Sequence, residues 1–245
     1  MAGAPTVGLV VPESVNSVPP EAAAMYPKIA FAARGIGLSS LSVAGYEEAV
    51  LRIVPAARAL AARGANAIMV IGTSLTFFRG AAFDRALSNE IAGATGLPSG
   101  TMSGALADGL REVGAKRVAV VTAYSDEVNA LLAAFLRQNG FEVLSMRSVK
   151  VAERVGEAAR ITVNDIFAAG TTACEQARGA DGLLIVCGGL RTFEITPRIE
   201  ARCGIPVVSS MPAALRKAAQ LAGEVAALPE GYGRLLSGAM QQAVP

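Results

Sequence analysis

The feature that most constrains the fold is an internal repeat, because three segments of the first half recur in the second half at similar separations. The separations are 111, 115 and 108 residues, for 7–11 with 118–122, 67–75 with 182–190, and 96–103 with 204–211. Near-constant separations indicate a duplicated α/β unit, and chance matching of strand-like segments is the alternative. Two such units facing each other would place Gly72 opposite Cys187 across one cleft.

Apolar runs and helical spacings alternate along the chain. Strands are predicted at 6–11, 29–33, 67–71, a short segment ending at 100–103, 118–122, 142–147, 182–187 and 206–209, and 13–20 as a loop. Helices are predicted at 45–63, 81–95, 105–113, 127–139, 162–178, a segment through 199–202, and 213–221. This alternation predicts two pseudo-symmetric α/β domains with parallel sheets, one formed by 1–103 and 211–245 and the other by 104–210.

One predicted strand ends in a cysteine followed by two glycines. Leu183 to Cys187 form an unbroken apolar run, which suits a central strand of a parallel sheet buried on both faces. Ligands of open α/β sheets bind outside the carboxyl ends of the strands, where the backbone N–H groups of Gly188 and Gly189 would be free. Cys187 is therefore a candidate reactive group, and a buried small hydrophobic residue is the alternative.

The composition excludes several kinds of chemistry. The chain of 245 residues has no histidine, which removes Ser-His and Cys-His catalysis and the commonest metal ligand. Its three cysteines have no CxxC spacing, so neither a zinc site nor a disulfide framework is predicted. The net charge of +2 gives no reason to expect nucleic acid or a membrane surface as a partner.

A cytoplasmic protein is predicted from three features of the sequence. The thiols are free, no basic leader precedes the first strand, and no apolar run is long enough to span a membrane.

Two motifs carry a family resemblance. GTSLTFFRGAAFD at 72–84 and CGGL at 187–190, with GIGLSS at 35–40, resemble the aspartate/glutamate racemase superfamily and, within it, the arylmalonate decarboxylases. Racemases and maleate isomerases of the superfamily carry a cysteine in each half. The decarboxylases carry glycine in the first half and cysteine in the second, as Gly72 and Cys187 do here.

The resemblance implies a cofactor-free and metal-free decarboxylation of α-aryl-α-methylmalonates. One carboxylate of this small dicarboxylate would be held, and the other would leave as CO₂ from an apolar pocket. Cys187 would protonate one face of the resulting enediolate, opposite Gly72. The residues implied for the held carboxylate are Thr73, Ser74, Tyr124, Cys187 and Gly188, and those for the apolar pocket are Pro12, Glu13, Leu38, Tyr46, Leu75 and Gly189. A monomer or weak homo-oligomer is expected.

The sequence departs from the family at two places. Glu13 stands where the decarboxylases have a second proline after Pro12, and 149–161 matches poorly and carries one extra residue. Both segments should line the apolar side, so the natural substrate stays open.

Other interpretations remain at this point. Thr73 and Ser74 could instead cap a helix, Tyr124 could be a boundary aromatic residue, and Arg79 is either a carboxylate clamp or part of a structural ion pair. Two-base isomerase or racemase chemistry needs an acid or base on each face, and only Glu13 could partly replace the group that Gly72 lacks. A protein that closes on a small carboxylate without reaction explains the cleft but not the thiol.

Overall fold

The computed structural model describes residues 5–224 and 232–238. Within them lie two four-stranded parallel sheets. The first contains β1 (Thr6–Val11), β2 (Ala30–Gly35), β3 (Ala67–Val70) and β4 (Ser99–Thr101), in the order β2-β1-β3-β4. The second contains β5 (Arg117–Thr122), β6 (Glu142–Ser148), β7 (Gly182–Val186) and β8 (Val207–Ser209), in the order β6-β5-β7-β8.

The two sheets have the same strand order, which confirms the predicted pair of duplicated parallel α/β units. In each sheet the first strand of the half lies between the second and third, as the registers Val10↔Val70 and Thr122↔Val186 show. The central strands β3 and β7 are buried along their whole length because helices cover both faces. Their carboxyl ends lead directly into 71–74 and 187–190.

The helices follow the predicted alternation with several differences at their ends. They are α1 (Pro20–Met25), α2 (Val43–Val50), α3 (Ile53–Ala61), α4 (Thr73–Phe77), α5 (Gly80–Thr95), α6 (Met102–Glu112), α7 (Asp126–Gln138), α8 (Val163–Gln176), α9 (Thr196–Cys203), α10 (Ser210–Leu221) and α11 (Arg234–Ser237). A 3₁₀ helix spans Glu157–Arg160.

The single helix predicted at 45–63 is wrong, because α2 and α3 are separate. Pro55 lies in the first turn of α3 and lacks the N–H that a continuous helix would bond to the carbonyl of Leu51. The short helices α1, α4 and α11 and the 3₁₀ helix were not predicted.

Helices α6 and α10 pack against each other at the junction of the two sheets, and α10 also contacts β3, β4 and β8. The division into 1–103 with 211–245 and 104–210 stays a prediction. Residues 1–4, 225–231 and 239–245 of its first part lie outside the described residues. No helix in the described part of the chain is long and apolar enough to cross a membrane.

Candidate active site

A cavity of about 130 Å³ lies where the carboxyl ends of β3 and β7 meet. One wall is formed by the strand ends and the turns that follow them, with Gly72, Thr73, Ser74, Tyr124, Cys187 and Gly188. The loops after β1, β2 and β6 supply most of the remaining lining. The structure therefore brings all the residues predicted for the held carboxylate to one wall of one cavity.

Gly72 and Cys187 share a backbone φ that favours glycine. Both have φ 140°, and Cys187 is the one residue other than glycine with positive φ in 5–224 and 232–238. This conformation is strained for a residue with a side chain and is found mainly where function requires it. The Cys187 N–H donates to Ser210 Oγ at 3.2 Å, which anchors the strained residue to the start of α10.

Thr73 and Ser74 are the first two residues of α4, but their hydroxyls do not cap the helix. The N-terminal cap of α4 is Gly72, and no side chain accepts a hydrogen bond from the first N–H groups of this helix. Thr73 Oγ1 instead donates to Ser210 Oγ at 3.1 Å. Both side chains are buried against the cavity, so the helix-cap interpretation is wrong for these two residues.

Tyr124 reaches the same wall from the loop after β5. Its ring packs edge-on against Phe77 with centroids 5.9 Å apart, and its carbonyl accepts from Ser148 Oγ at 2.6 Å. Its hydroxyl lies beside Thr73 and Ser74, and burial raises the pKa of that hydroxyl well above its ordinary value. Tyr124 therefore keeps its proton and can donate it in a hydrogen bond.

The Cys187 thiol is buried, and burial raises its pKa above the ordinary value of 9.0. Hydrogen bonds with the Gly189 backbone and the Tyr124 hydroxyl act in the opposite direction but are weaker. The thiol is therefore protonated at neutral pH, as an acid must be, whereas a nucleophilic cysteine needs a lowered pKa.

Four of the six residues predicted for the apolar pocket line the cavity: Pro12, Glu13, Leu38 and Gly189. The other two predictions need correction, because Tyr46 and Leu75 do not line it and are fully buried behind its wall. Leu75 lies behind the strand end, where a Cβ added to Gly72 would meet its Cβ at 3.5 Å. Leu75 belongs to α4, and its side chain faces the core.

The segment after β6 supplies the lining that the sequence left undetermined. Arg154, Val155, Gly156, Ala158 and Ala159 line the cavity. The segment is held in place because Glu153 O accepts from the Leu41 N–H at 2.8 Å.

Three further lining residues were missed: Leu41, Ile71 and Met211. Only Ile71 had a usable signal, since it directly precedes Gly72.

The remaining candidates lie elsewhere. Arg79 Nε donates to Glu47 at 3.0 Å and its guanidinium lies over Phe78 and Phe83, so Arg79 is structural. The described residues contain no group of three or more His, Cys, Asp or Glu side chains that could hold a metal ion. Cys174 and Cys203 line a separate cavity of about 140 Å³ on α8 and α9.

A family model described as arylmalonate decarboxylase matches residues 7–236. The arylmalonate decarboxylase of Bordetella bronchiseptica is 43% identical over 234 residues, which cover 96% of this chain and 97% of that protein. The chain belongs to the arylmalonate decarboxylase family. A crystal structure of an arylmalonate decarboxylase double mutant in a liganded form, with one glycine changed to cysteine and one cysteine to serine, has a TM-score of 0.93 at 42% identity. It covers 96% of this chain and 99% of that one.

Maleate isomerases are more distant relatives of this arylmalonate decarboxylase family member. The enzyme of Pseudomonas putida is 31% identical over 143 residues, which cover 57% of this chain and 54% of that protein. A crystal structure of the maleate isomerase Iso, also from Pseudomonas putida, has a TM-score of 0.86 at 22% identity and covers 96% of this chain and 98% of that one. This likeness shows a shared fold.

Proposed function

We propose that this enzyme decarboxylates α-aryl and α-aryl-α-methyl malonates to chiral α-aryl carboxylates without a cofactor. The observation that carries the proposal is one buried thiol, Cys187, that lines the same cavity as several neutral hydrogen-bond donors, with a glycine, Gly72, at the equivalent position of the other strand end. The chain is a carboxy-lyase of its family.

The held carboxylate binds at the wall formed by the two strand ends. The free donors are the hydroxyls of Ser74 and Tyr124 and the backbone N–H of Gly188. The Thr73 hydroxyl and the Cys187 N–H, which donate to Ser210 Oγ, would exchange that acceptor for the carboxylate when it binds. All are uncharged, and packing and hydrogen bonds to the surrounding structure hold several of them in place before substrate arrives. Such donors stabilise charge that develops in the transition state, and one alone contributes about 3–4 kcal/mol.

The second carboxylate faces the apolar side of the cavity, around Pro12, Leu38 and Val155. The side chains of these three residues offer a carboxylate no hydrogen bond, so its charge is poorly stabilised against them. The bond from Cα to this carboxylate breaks, CO₂ leaves, and the bonding electron pair moves onto Cα and the held carboxylate as an enediolate. The growing charge is then located where the donors are.

Cys187 completes the reaction by donating its thiol proton to Cα. The new C–H bond forms on the face that the thiol contacts, and the resulting thiolate takes a proton from water. Because Gly72 carries no acid, the other face receives no proton and one enantiomer is formed.

The proposed partner is a small dicarboxylate, and no nucleic acid or membrane enters the reaction. We place the enzyme, as a monomer or weak homo-oligomer, in the cytoplasm, because free thiols suit a reducing compartment.

The test is an assay of the purified protein with phenylmalonate, maleate and glutamate, followed by proton NMR with and without EDTA. We expect phenylacetate from phenylmalonate only, at the same rate in EDTA. Fumarate from maleate would identify an isomerase, deuterium exchange at Cα of glutamate a racemase, and binding without turnover a carboxylate-binding protein.

A further inference from the structure

Tyr46 has a buried side chain whose hydroxyl lacks a hydrogen bond. The residue lies in α2 with no exposed surface, and its ring packs against Phe78 with centroids 5.5 Å apart. Within residues 5–224 and 232–238, its hydroxyl is the one buried side-chain polar atom without a hydrogen-bond partner. An unpaired buried hydroxyl destabilises the fold relative to a phenyl ring, so a tyrosine here indicates a role for the hydroxyl.

The position of Tyr46 links it to the wall that would hold the carboxylate. Helix α2 packs on α4, the helix that begins with Thr73 and Ser74. The Tyr46 hydroxyl lies beside the Ser74 side chain, with Tyr124 and Cys187 nearby. Ser74 lines the cavity and Tyr46 does not, so Tyr46 can act on a bound molecule through the neighbouring Ser74 hydroxyl.

We propose that Tyr46 is a positioning residue: when a carboxylate binds beside Ser74, the Tyr46 hydroxyl donates a hydrogen bond to Ser74 Oγ and so directs the Ser74 hydroxyl proton toward the held carboxylate. This inference rests on the proposed function, which places a carboxylate beside Ser74. A serine hydroxyl has one proton and two lone pairs, so a donor on its far side leaves its own proton for the substrate. The chain of two hydrogen bonds also polarises Ser74 and strengthens its bond to the carboxylate.

The direction of the hydrogen bond follows from the environment of Tyr46. Burial raises the pKa of its hydroxyl, so the group keeps its proton over the working pH range. Charge on the held carboxylate grows as CO₂ leaves, and the two-bond chain therefore stabilises the transition state more than the bound substrate. An interaction of this kind changes kcat rather than KM.

Tyr46→Phe removes the hydroxyl and keeps the ring that packs on Phe78. We expect kcat for phenylmalonate to fall about tenfold, the equivalent of one hydrogen bond in a buried network, with KM changed less than about twofold. We expect Tm to stay the same or rise, because an unpaired hydroxyl is removed. Tyr26→Phe is the matched control: Tyr26 is also a buried tyrosine, lies outside the cavity, and should leave kcat unchanged.

A double-mutant cycle with Ser74→Ala tests whether Tyr46 acts through Ser74. In the Ser74→Ala background, Tyr46→Phe should cause no further loss of kcat, since the hydroxyl it orients is gone. The proposal fails if the two losses multiply, if Tyr46→Phe keeps full kcat, or if it lowers Tm more than Tyr26→Phe does.

Measurements on the unmutated parent enzyme distinguish failure of the proposed function from failure of the role of Tyr46. If the parent binds phenylmalonate but releases no CO₂, the proposed function is wrong, and the same cycle is measured on the Kd of phenylmalonate by calorimetry. Equal losses of affinity from Tyr46→Phe in both backgrounds then overturn the role of Tyr46, and a loss confined to the Ser74 background supports it. A parent that neither binds nor converts phenylmalonate overturns both.

Discussion

The residues that follow β3 and β7 share the same φ but differ in chemistry. After β3 come Gly72 and the hydroxyls of Thr73 and Ser74, and after β7 come Cys187 and two glycines. The first strand end therefore offers hydrogen-bond donors and no acid, whereas the second offers an acid and backbone N–H groups. The duplication produced two equivalent positions with different roles. Donors after β3 would hold the charge of the carboxylate, and the thiol after β7 would supply the proton.

The comparison also shows where the fold is strained. A φ of 140° suits Gly72, but in Cys187 it costs on the order of 1–3 kcal/mol. A glycine at 187 would relieve that strain, so the thiol is retained against a stability cost. This is the expected pattern for a residue kept for its chemistry.

The largest effect should come from removing the one acid. Cys187→Ala should lower kcat for phenylmalonate by roughly 10²- to 10⁴-fold, the usual contribution of a positioned general acid. Cys174→Ala and Cys203→Ala are the matched controls and should stay within about twofold, since both lie in a separate cavity. Steady-state kinetics of the three variants decides this, and a fully active Cys187→Ala enzyme would remove the thiol from the mechanism.

The next largest effect should come from exchanging the two strand ends. Gly72→Cys with Cys187→Gly moves the acid to the opposite face, so a prochiral disubstituted malonate should give the other enantiomer. The new side chain has room, because its Cβ would lie 3.5 Å from Leu75, and the strain moves from one position to the other. We expect kcat about 10- to 100-fold below the parent, since the donors are arranged for the original geometry.

Chiral chromatography of the product shows which enantiomer is formed. A folded, active double variant that still makes the original enantiomer would show that the two strand ends do not face each other across the substrate.

Local sequence patterns were sufficient for the strands and for the strand-end residues. Strands buried on both faces are continuous apolar runs, so β3 and β7 were recognisable. The residues that follow them lie at the carboxyl edge of the sheet regardless of the loop conformations. The same patterns could not show that Tyr46 and Leu75 face the core, because that depends on how α2 and α4 pack. The lining at 154–159 depends on a loop from the second half meeting the loop at Leu41 of the first.

The two halves should also differ in how a buried carboxylate affects their stability. Asp84 of α5 is buried and accepts from Thr101 Oγ1 at 2.6 Å, and burial raises its pKa from 3.8 to about 6. A raised pKa means that folding favours the protonated carboxyl, so ionised Asp84 destabilises the protein above pH 6, and this cost disappears as pH falls toward 3.8. Asp84→Asn should raise the free energy of unfolding by about 2–3 kcal/mol at neutral pH, and by less in acid.

Urea unfolding at mildly acidic and at neutral pH measures this difference. Glu200→Gln is the matched variant in the second half, where Glu200 Oε1 accepts from the Val207 N–H at 2.9 Å and the carboxylate also accepts from the Arg234 N–H. Burial raises the pKa of Glu200 too, but the two backbone donors and the charge of Arg234 oppose that effect, so we expect a smaller gain there than at Asp84. Equal gains at both positions would contradict the assigned role of burial at Asp84.

The smallest effect concerns the wall that faces the two strand ends. Glu13 lines the cavity beside Pro12, where its carboxylate repels a dianionic malonate. Glu13→Pro should raise kcat/KM for phenylmalonate about two- to fivefold, in line with the 0.2–1 kcal/mol of a partly exposed charge pair. Glu13→Gln removes the charge without introducing a proline ring. If the charge is the cause, the gain in kcat/KM should be smaller at high salt. If neither variant changes kcat/KM, Glu13 faces solvent, and the differences at 149–161 alone would set this chain's substrate apart.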